Sequence, residues 1–305
     1  MPSTVDWGAA ALALGENVVV LQGTDAGRYP SGNSILIRGA AENLLIDPSV
    51  DVVARGGAPV PIDAVINSHA HEDHVAGNGF FAEARVHIHH DDLPGITSLD
   101  GFMDIYGLSS PQAAARWREE VVEEFHFTPR PDAHGFSDGH VFELGNVQVE
   151  AVHLPGHTRG HSGFRIGPDV FYLSDIDLSG FGPYYGDLWS DLDDFEDSLV
   201  RVRDEDARWY VTFHHKGIVE GRAAFLEALD GFASVIGRRH DAMLAFLAEP
   251  RSIADMVEHR FIYRPHVEST FLLDVERRSA DLHVQRMLKR GEAREVEPGR
   301  FQAVP

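Results

Sequence analysis

The chain has no cysteine among its 305 residues, so neither a disulfide nor a thiolate metal ligand is available to it. Imidazole and carboxylate are the strong ligand types left, and any metal would be held by nitrogen and oxygen. No run approaches 18 uninterrupted apolar residues, which argues against a membrane-spanning helix. The apolar stretch Ala9 to Leu14 is short, has no basic flank and gives way to Gly15 and Glu16, which argues against a secretory signal. A cytoplasmic protein without a membrane partner is the expectation. A glycine-rich phosphate cradle and a Ser or Cys nucleophile elbow are also missing.

Positive charge is scarce: 26 Lys and Arg stand against 48 Asp and Glu, for a net charge of −22. The deficit is local. Residues 1–237 hold 14 basic and 37 acidic side chains, whereas residues 238–305 hold 12 and 11. An acidic surface of that size repels polyphosphate, because nucleic-acid binding draws much of its affinity from Lys and Arg displacing counterions. No nucleic-acid partner is therefore expected.

What is present reads as an ordinary globular α/β chain, 43% hydrophobic and 24% charged, long enough for one large domain and a smaller one. Short β-branched runs at 17–22, 34–38 and 43–46, separated by Gly, Pro, Asn and Asp, predict an opening β-meander. Strands at 62–67 and 86–89 flank a short helix containing Phe80 and Phe81. Pro111 opens a helix over 111–125 that reads as an insertion or lid. Further strands are predicted at 147–153, 163–166, 170–173 and 210–213. After Gly217 the pattern turns helical, at 223–248, 253–260 and 279–290, and ends in a hairpin-like segment at 297–303.

Several predicted strand ends carry His or Asp. Asn67-Ser68-His69-Ala70-His71-Glu72-Asp73-His74 follows a strand, and alternate residues of an extended segment share a face, so His69 and His71 can converge on one point. Two neutral imidazoles with a third ligand from elsewhere form an open site that lowers the pKa of a coordinated water to about 7. Asp73 and His74 can serve a second ion. Leu154-Pro155-Gly156-His157-Thr158 ends another strand, Leu173-Ser174-Asp175 a third, and Thr212-Phe213-His214-His215-Lys216-Gly217 a fourth.

This ordered series resembles the metallo-β-lactamase superfamily, over about residues 15–220. The resemblance implies an αββα sandwich of two mixed β-sheets flanked by helices, in a catalytic domain over 1–222. It implies that His69, His71 and His157 hold one divalent cation, that Asp73, His74 and a final histidine hold a second, and that Asp175 bridges them. His214 and His215 both compete for the final position; aligning into Ile218-Val219 without a gap selects His215. Asp47 matches a buried Asp that orients a ligand histidine. Tyr184 and Tyr185 follow the bridging residue where related lactonases place an oxyanion-stabilising tyrosine, so Asp73, Tyr184 and Tyr185 are the catalytic candidates. Zinc is the expected metal, with iron and manganese as alternatives.

The tail, over 223–305, resembles the winged-helix-like appendage of lactamase-like hydrolases; lacking a basic stripe, it is expected to pack over the active site or to make a homodimer contact. The implied activity is hydrolysis of a small-molecule ester, thioester or lactone, of the glyoxalase II kind, by a water that two cations activate. An endoribonuclease and a non-catalytic metal-sensing DNA-binding protein are the alternatives, and the charge distribution counts against both.

Overall fold

The computed structural model describes residues 4–304. Its first sheet has seven strands in sequence order: β1 (Ala11–Leu14), β2 (Val18–Leu21), β3 (Ser34–Arg38), β4 (Asn43–Ile46), β5 (Ala64–Ile66), β6 (Arg85–His89) and β7 (His134–Phe136). The β1–β4 meander is antiparallel and β4–β7 run parallel. The second sheet has the order β13-β12-β11-β10-β9-β8, where β8 is Val141–Glu143, β9 Gln148–His153, β10 Ser162–Ile166, β11 Val170–Ser174, β12 Trp209–Thr212 and β13 Ile218–Glu220. One parallel pair, β11 with β12, makes that sheet mixed as well.

Strand periodicity sorts the side chains into layers. Ile35 and Ile37 of β3 face the second sheet and meet Val149, Phe164, Tyr172 and Val211 in the central core. Leu36, between them, faces the opposite way, toward Phe102, Ile105 and Trp117 of the helices covering the first sheet. These are α4 (Leu99–Tyr106) and α5 (Pro111–Glu123), with α1 (Val50–Arg55), α2 (Glu72–Val75) and α3 (Leu93–Thr97) filling earlier crossovers. Ser98 and Ser110 cap α4 and α5 by accepting from Gly101 and Ala113 backbone N–H groups, satisfying amides that a helix start leaves unpaired. The outer face of the second sheet, with Phe171, Leu173 and Tyr210, is covered by α6 (Leu192–Val202) and α7 (Arg222–Phe246). Four layers result, helix, sheet, sheet, helix.

Phe80 and Phe81 lie in a turn, not in a helix; the helix there is the single turn of α2. The first half of α7 packs on the second sheet through Phe225, Leu229, Phe232 and Ile236, while Met243 in its second half joins another cluster with Leu247, Met256, Val284 and Met287. One helix therefore serves two cores. The remainder of that second core is α8 (Ile253–His259), α9 (Leu272–Arg290) and a three-stranded antiparallel sheet of β14 (Arg251–Ser252), β15 (Ala293–Glu297) and β16 (Arg300–Ala303). No helix among the described residues is long and apolar enough to cross a membrane.

Candidate metal centre

The central core ends where β4, β5, β9, β11 and β12 stop, and each stop delivers a functional side chain. At the end of β4, Asp47 adopts a left-handed backbone (φ 49°), and at the end of β11 Ser174 does the same (φ 53°). Such conformations are uncommon outside glycine and persist where surrounding contacts over-determine them. At Asp47 those contacts are four donors to one buried carboxylate: the Ser68 N–H (2.7 Å) and hydroxyl (2.6 Å), the Tyr172 hydroxyl (2.7 Å) and His74 Nδ1 (2.9 Å). In the β9–β10 loop, Gly156 (φ 118°) is required by close approach, since a Cβ there would lie 2.3 Å from the Phe195 backbone nitrogen. His157 follows from that turn.

Two groups of ligand atoms converge, and Asp175 of the first reaches His74 of the second. In the first, His69 Nε2 lies 3.0 Å from His71 Nδ1 and 3.2 Å from His157 Nε2, which is 3.2 Å from Asp175 Oδ2. In the second, His74 Nε2 is 3.1 Å from Asp175 Oδ1, and His214 Nε2 is 3.0 Å from Asp73 Oδ2. The outward nitrogen of each imidazole is engaged elsewhere. His74 donates to Asp47, His157 to the Tyr184 carbonyl (2.9 Å), and His214 to the carbonyls of Gly27 (2.9 Å) and Ser31 (3.0 Å); His69 Nδ1 faces Ser68 Oγ (3.1 Å), and His71 Nε2 lies 2.9 Å from Asp187 Oδ2. That pattern fixes the tautomers and turns five lone pairs inward.

The residues fit a pair of divalent cations. Asp73 Oδ2, His74 Nε2 and Asp175 Oδ1 are buried and face only ligand atoms of the same clusters, without hydrogen-bond geometry among them, an arrangement that cations between them would satisfy. Electrostatics points the same way. Burial opposes protonation of His74, yet the carboxylates of Asp175, Asp47 and Asp73 outweigh it and push its pKa well above the ordinary value. Burial, together with His74, His71 and His157 crowding round it, holds His69 well below. Cations between these groups would replace the protons that the carboxylates otherwise draw in. Five imidazoles, two carboxylates and no sulfur suit zinc, iron or manganese.

One expectation for the final ligand is corrected. His214, not His215, faces Asp73, because the left-handed backbone at His215 (φ 51°) turns its side chain to solvent at the pocket mouth. Tyr185 is corrected too: it is buried behind the site, its hydroxyl 2.9 Å from His283 Nε2. Tyr184 does line the pocket and donates to Asp187 (3.0 Å). His161, a neighbour of the clusters, donates to the Leu154 carbonyl (2.8 Å) and accepts from the Asp175 N–H (3.2 Å).

Three further groups carry no sequence signal. Asp187 abuts His71. Asp92 is buried and accepts from the Ala70 N–H (3.1 Å), the Thr158 hydroxyl (2.6 Å) and the Gly160 N–H (2.6 Å), fastening two ligand loops to one another. Glu72 accepts from the hydroxyls of Tyr29 (2.8 Å) and Tyr106. Burial and the adjacent Asp73 raise its pKa to about 7. A third grouping, His89, Asp91 and His153, lies apart; its two rings stack at 4.0 Å, and His153 Nε2 is spent on the Arg159 carbonyl.

The layered fold and the paired ligand clusters at its strand ends define a scaffold for metal-dependent hydrolysis. The chain belongs to the metallo-beta-lactamase superfamily, whose sequence model matches residues 28–215. Among curated proteins it is similar to the acyl-coenzyme A thioesterase MBLAC2 of Bos taurus, 26% identical over 181 residues, and to its Homo sapiens counterpart, 26% over 182. Each match covers 52% of this chain and 62% of the relative, less than two thirds of the relative's length. Among solved structures, the metallo-beta-lactamase family protein TTHA1429 from Thermus thermophilus superposes with a TM-score of 0.69 at 21% identity, covering 94% of this chain and 99% of that one. A beta-lactamase domain protein from Burkholderia ambifaria gives 0.69 at 16%, covering 97% and 95%. These two neighbours show the fold, including its helical C-terminal region.

Proposed function

We propose that the chain is a binuclear zinc hydrolase of small, uncharged thioesters or esters, with His69, His71 and His157 holding one cation, Asp73, His74 and His214 the other, and Asp175 between them. The observation that carries this is the convergence of those seven side chains on two adjoining points, with every outward nitrogen engaged. The thioester preference is supported by the thioesterase name of the MBLAC2 relatives, at low identity over part of their length.

Bound divalent cations supply Lewis acidity and lower the pKa of water. The protein does the rest. Burial and the neighbouring Asp187 hold the Tyr184 phenol protonated well beyond neutral pH; its one O–H is given to Asp187, and rotation of that hydroxyl toward the pocket would turn it to the oxygen of a reacting carbonyl. Asp187 keeps His71 and Tyr184 in place from the other side. In the reaction, water oxygen bonds to the acyl carbon, the carbon–sulfur or carbon–oxygen bond breaks, and the thiol or alcohol leaves with a proton, giving a carboxylic acid.

A panel of thioester, lactone, β-lactam and RNA substrates tests the reading. Thioester or ester turnover well above the rest is expected; cleavage of RNA or β-lactam alone would overturn it.

A further inference from the structure

The pocket above the two clusters, about 220 Å³, is walled by Tyr29, Tyr106, Phe181, Tyr184, Tyr263 and Phe271, and no Lys or Arg lines it. Outside the residues assigned to the cations, its remaining polar lining is Glu72, Asp177 and Asp187, with His215 at the mouth. Tyr263 and Phe271 arrive from residues 260–271, an irregular segment between α8 and α9 in the C-terminal region. The Tyr263 ring packs on Phe181 (5.6 Å between centroids), and the Phe271 ring on Trp117 (5.4 Å) and Tyr106 (6.4 Å).

What fixes this segment is one buried carboxylate. Glu276 on α9, 1% exposed, accepts from three consecutive backbone N–H groups, Phe261 (2.9 Å), Ile262 (3.1 Å) and Tyr263 (2.7 Å). Three charge-assisted hydrogen bonds to successive amides leave that stretch one conformation. Arg260, at a left-handed φ of 61°, holds the far side of the loop through the Val267 carbonyl (3.0 Å). A loop whose neighbours at 264–266 and 268–269 are exposed is thereby tied down where it meets the pocket.

Resting on the hydrolase reading above, we infer that residues 260–271 form the outer wall of an acyl-group site, that Glu276 is its positioning residue, and that this site takes an uncharged aromatic or short aliphatic acyl group and turns away one carrying a carboxylate. Aromatic rings supply apolar contact area. Away from the metal ligands that wall offers carboxylates and no Lys or Arg, so a second carboxylate on the acyl group meets like charge there, which is selection by exclusion.

The test uses metal-loaded protein and the benzoyl and succinyl thioesters of one uncharged thiol, N-acetylcysteamine. The benzoyl compound should be preferred in kcat/KM by about tenfold or more. Tyr263→Ala should raise its KM about tenfold while kcat stays within about twofold and metal content is unchanged. Glu276→Ala should move KM the same way, and Glu276→Gln, which keeps one acceptor oxygen, should recover part of the loss. An unchanged KM in Tyr263→Ala, or a preference for the succinyl compound, overturns the inference, and Tyr263→Ala carries the test alone if Glu276→Ala does not fold. If the wild type hydrolyses neither thioester nor the matching ethyl esters, the hydrolase reading fails, and the site is judged by calorimetric binding of benzyl methyl ketone: binding about tenfold weaker to Tyr263→Ala supports it, and equal or absent binding to both overturns it.

Discussion

Asp187 Oδ2 lies 2.9 Å from Nε2 of His71, so a carboxylate 116 positions along the chain stands behind one imidazole of the first cluster. Both groups are buried. Burial disfavours the imidazolium, but Asp187 outweighs it and lifts His71 to about 9. With His71 Nδ1 facing His69 and His157, the carboxylate determines which nitrogen points inward.

Asp187→Asn should therefore weaken metal binding roughly 10–100-fold, the usual consequence of losing a partner behind a ligand histidine. Competition with a chelator of known affinity measures it. Metal affinity equal to wild type would show that the Asp187 contact does not orient His71.

His214 and His215 make an internally controlled pair. His214→Ala should cost one of two metal ions per chain and most of the turnover, whereas His215→Ala, removing a solvent-facing ring, should leave metal content unchanged. Metal analysis of the two purified variants distinguishes them. The reverse result would return the ligand role to His215.

Residues whose chemistry repeats locally were legible in the sequence. His69, His71, Asp73, His74, His157 and Asp175 sit at strand ends inside short motifs, and the structure gathers all six. The predicted strands gave an α/β rhythm, and the four-layer arrangement came from the family resemblance that these motifs carry. Asp187 and Asp92 were illegible because nothing local distinguishes a loop carboxylate that reaches a ligand loop from one that faces water. Choosing between His214 and His215, or Tyr184 and Tyr185, needed backbone direction: one left-handed residue at His215, and the packing of Tyr185 against His283, decide which neighbour points inward. Tyr263 and Phe271 lie in a segment without periodicity, held by Glu276 from a different helix.

Stability should depend on pH through His283, which sits between the Tyr185 hydroxyl (2.9 Å) and His240 Nδ1 (3.2 Å). Burial, then His240 and Arg286, pushes its pKa down to about 3. The unfolded chain, with an ordinary value near 6.5, then binds the proton more readily. Its contribution is thus fully present above about pH 6.5 and is lost as pH falls toward about 3. Tm measured across that window should fall less steeply in His283→Asn than in wild type. Parallel curves would count against this assignment.

The account depends most on two cations that act together. Purified metal-free protein titrated with Zn²⁺, with thioester turnover followed at each addition, should gain activity that levels off at two equivalents per chain and is abolished by a chelator. Full turnover in protein holding less than about a tenth of an ion per chain, or saturation at one equivalent, would contradict a two-metal hydrolase.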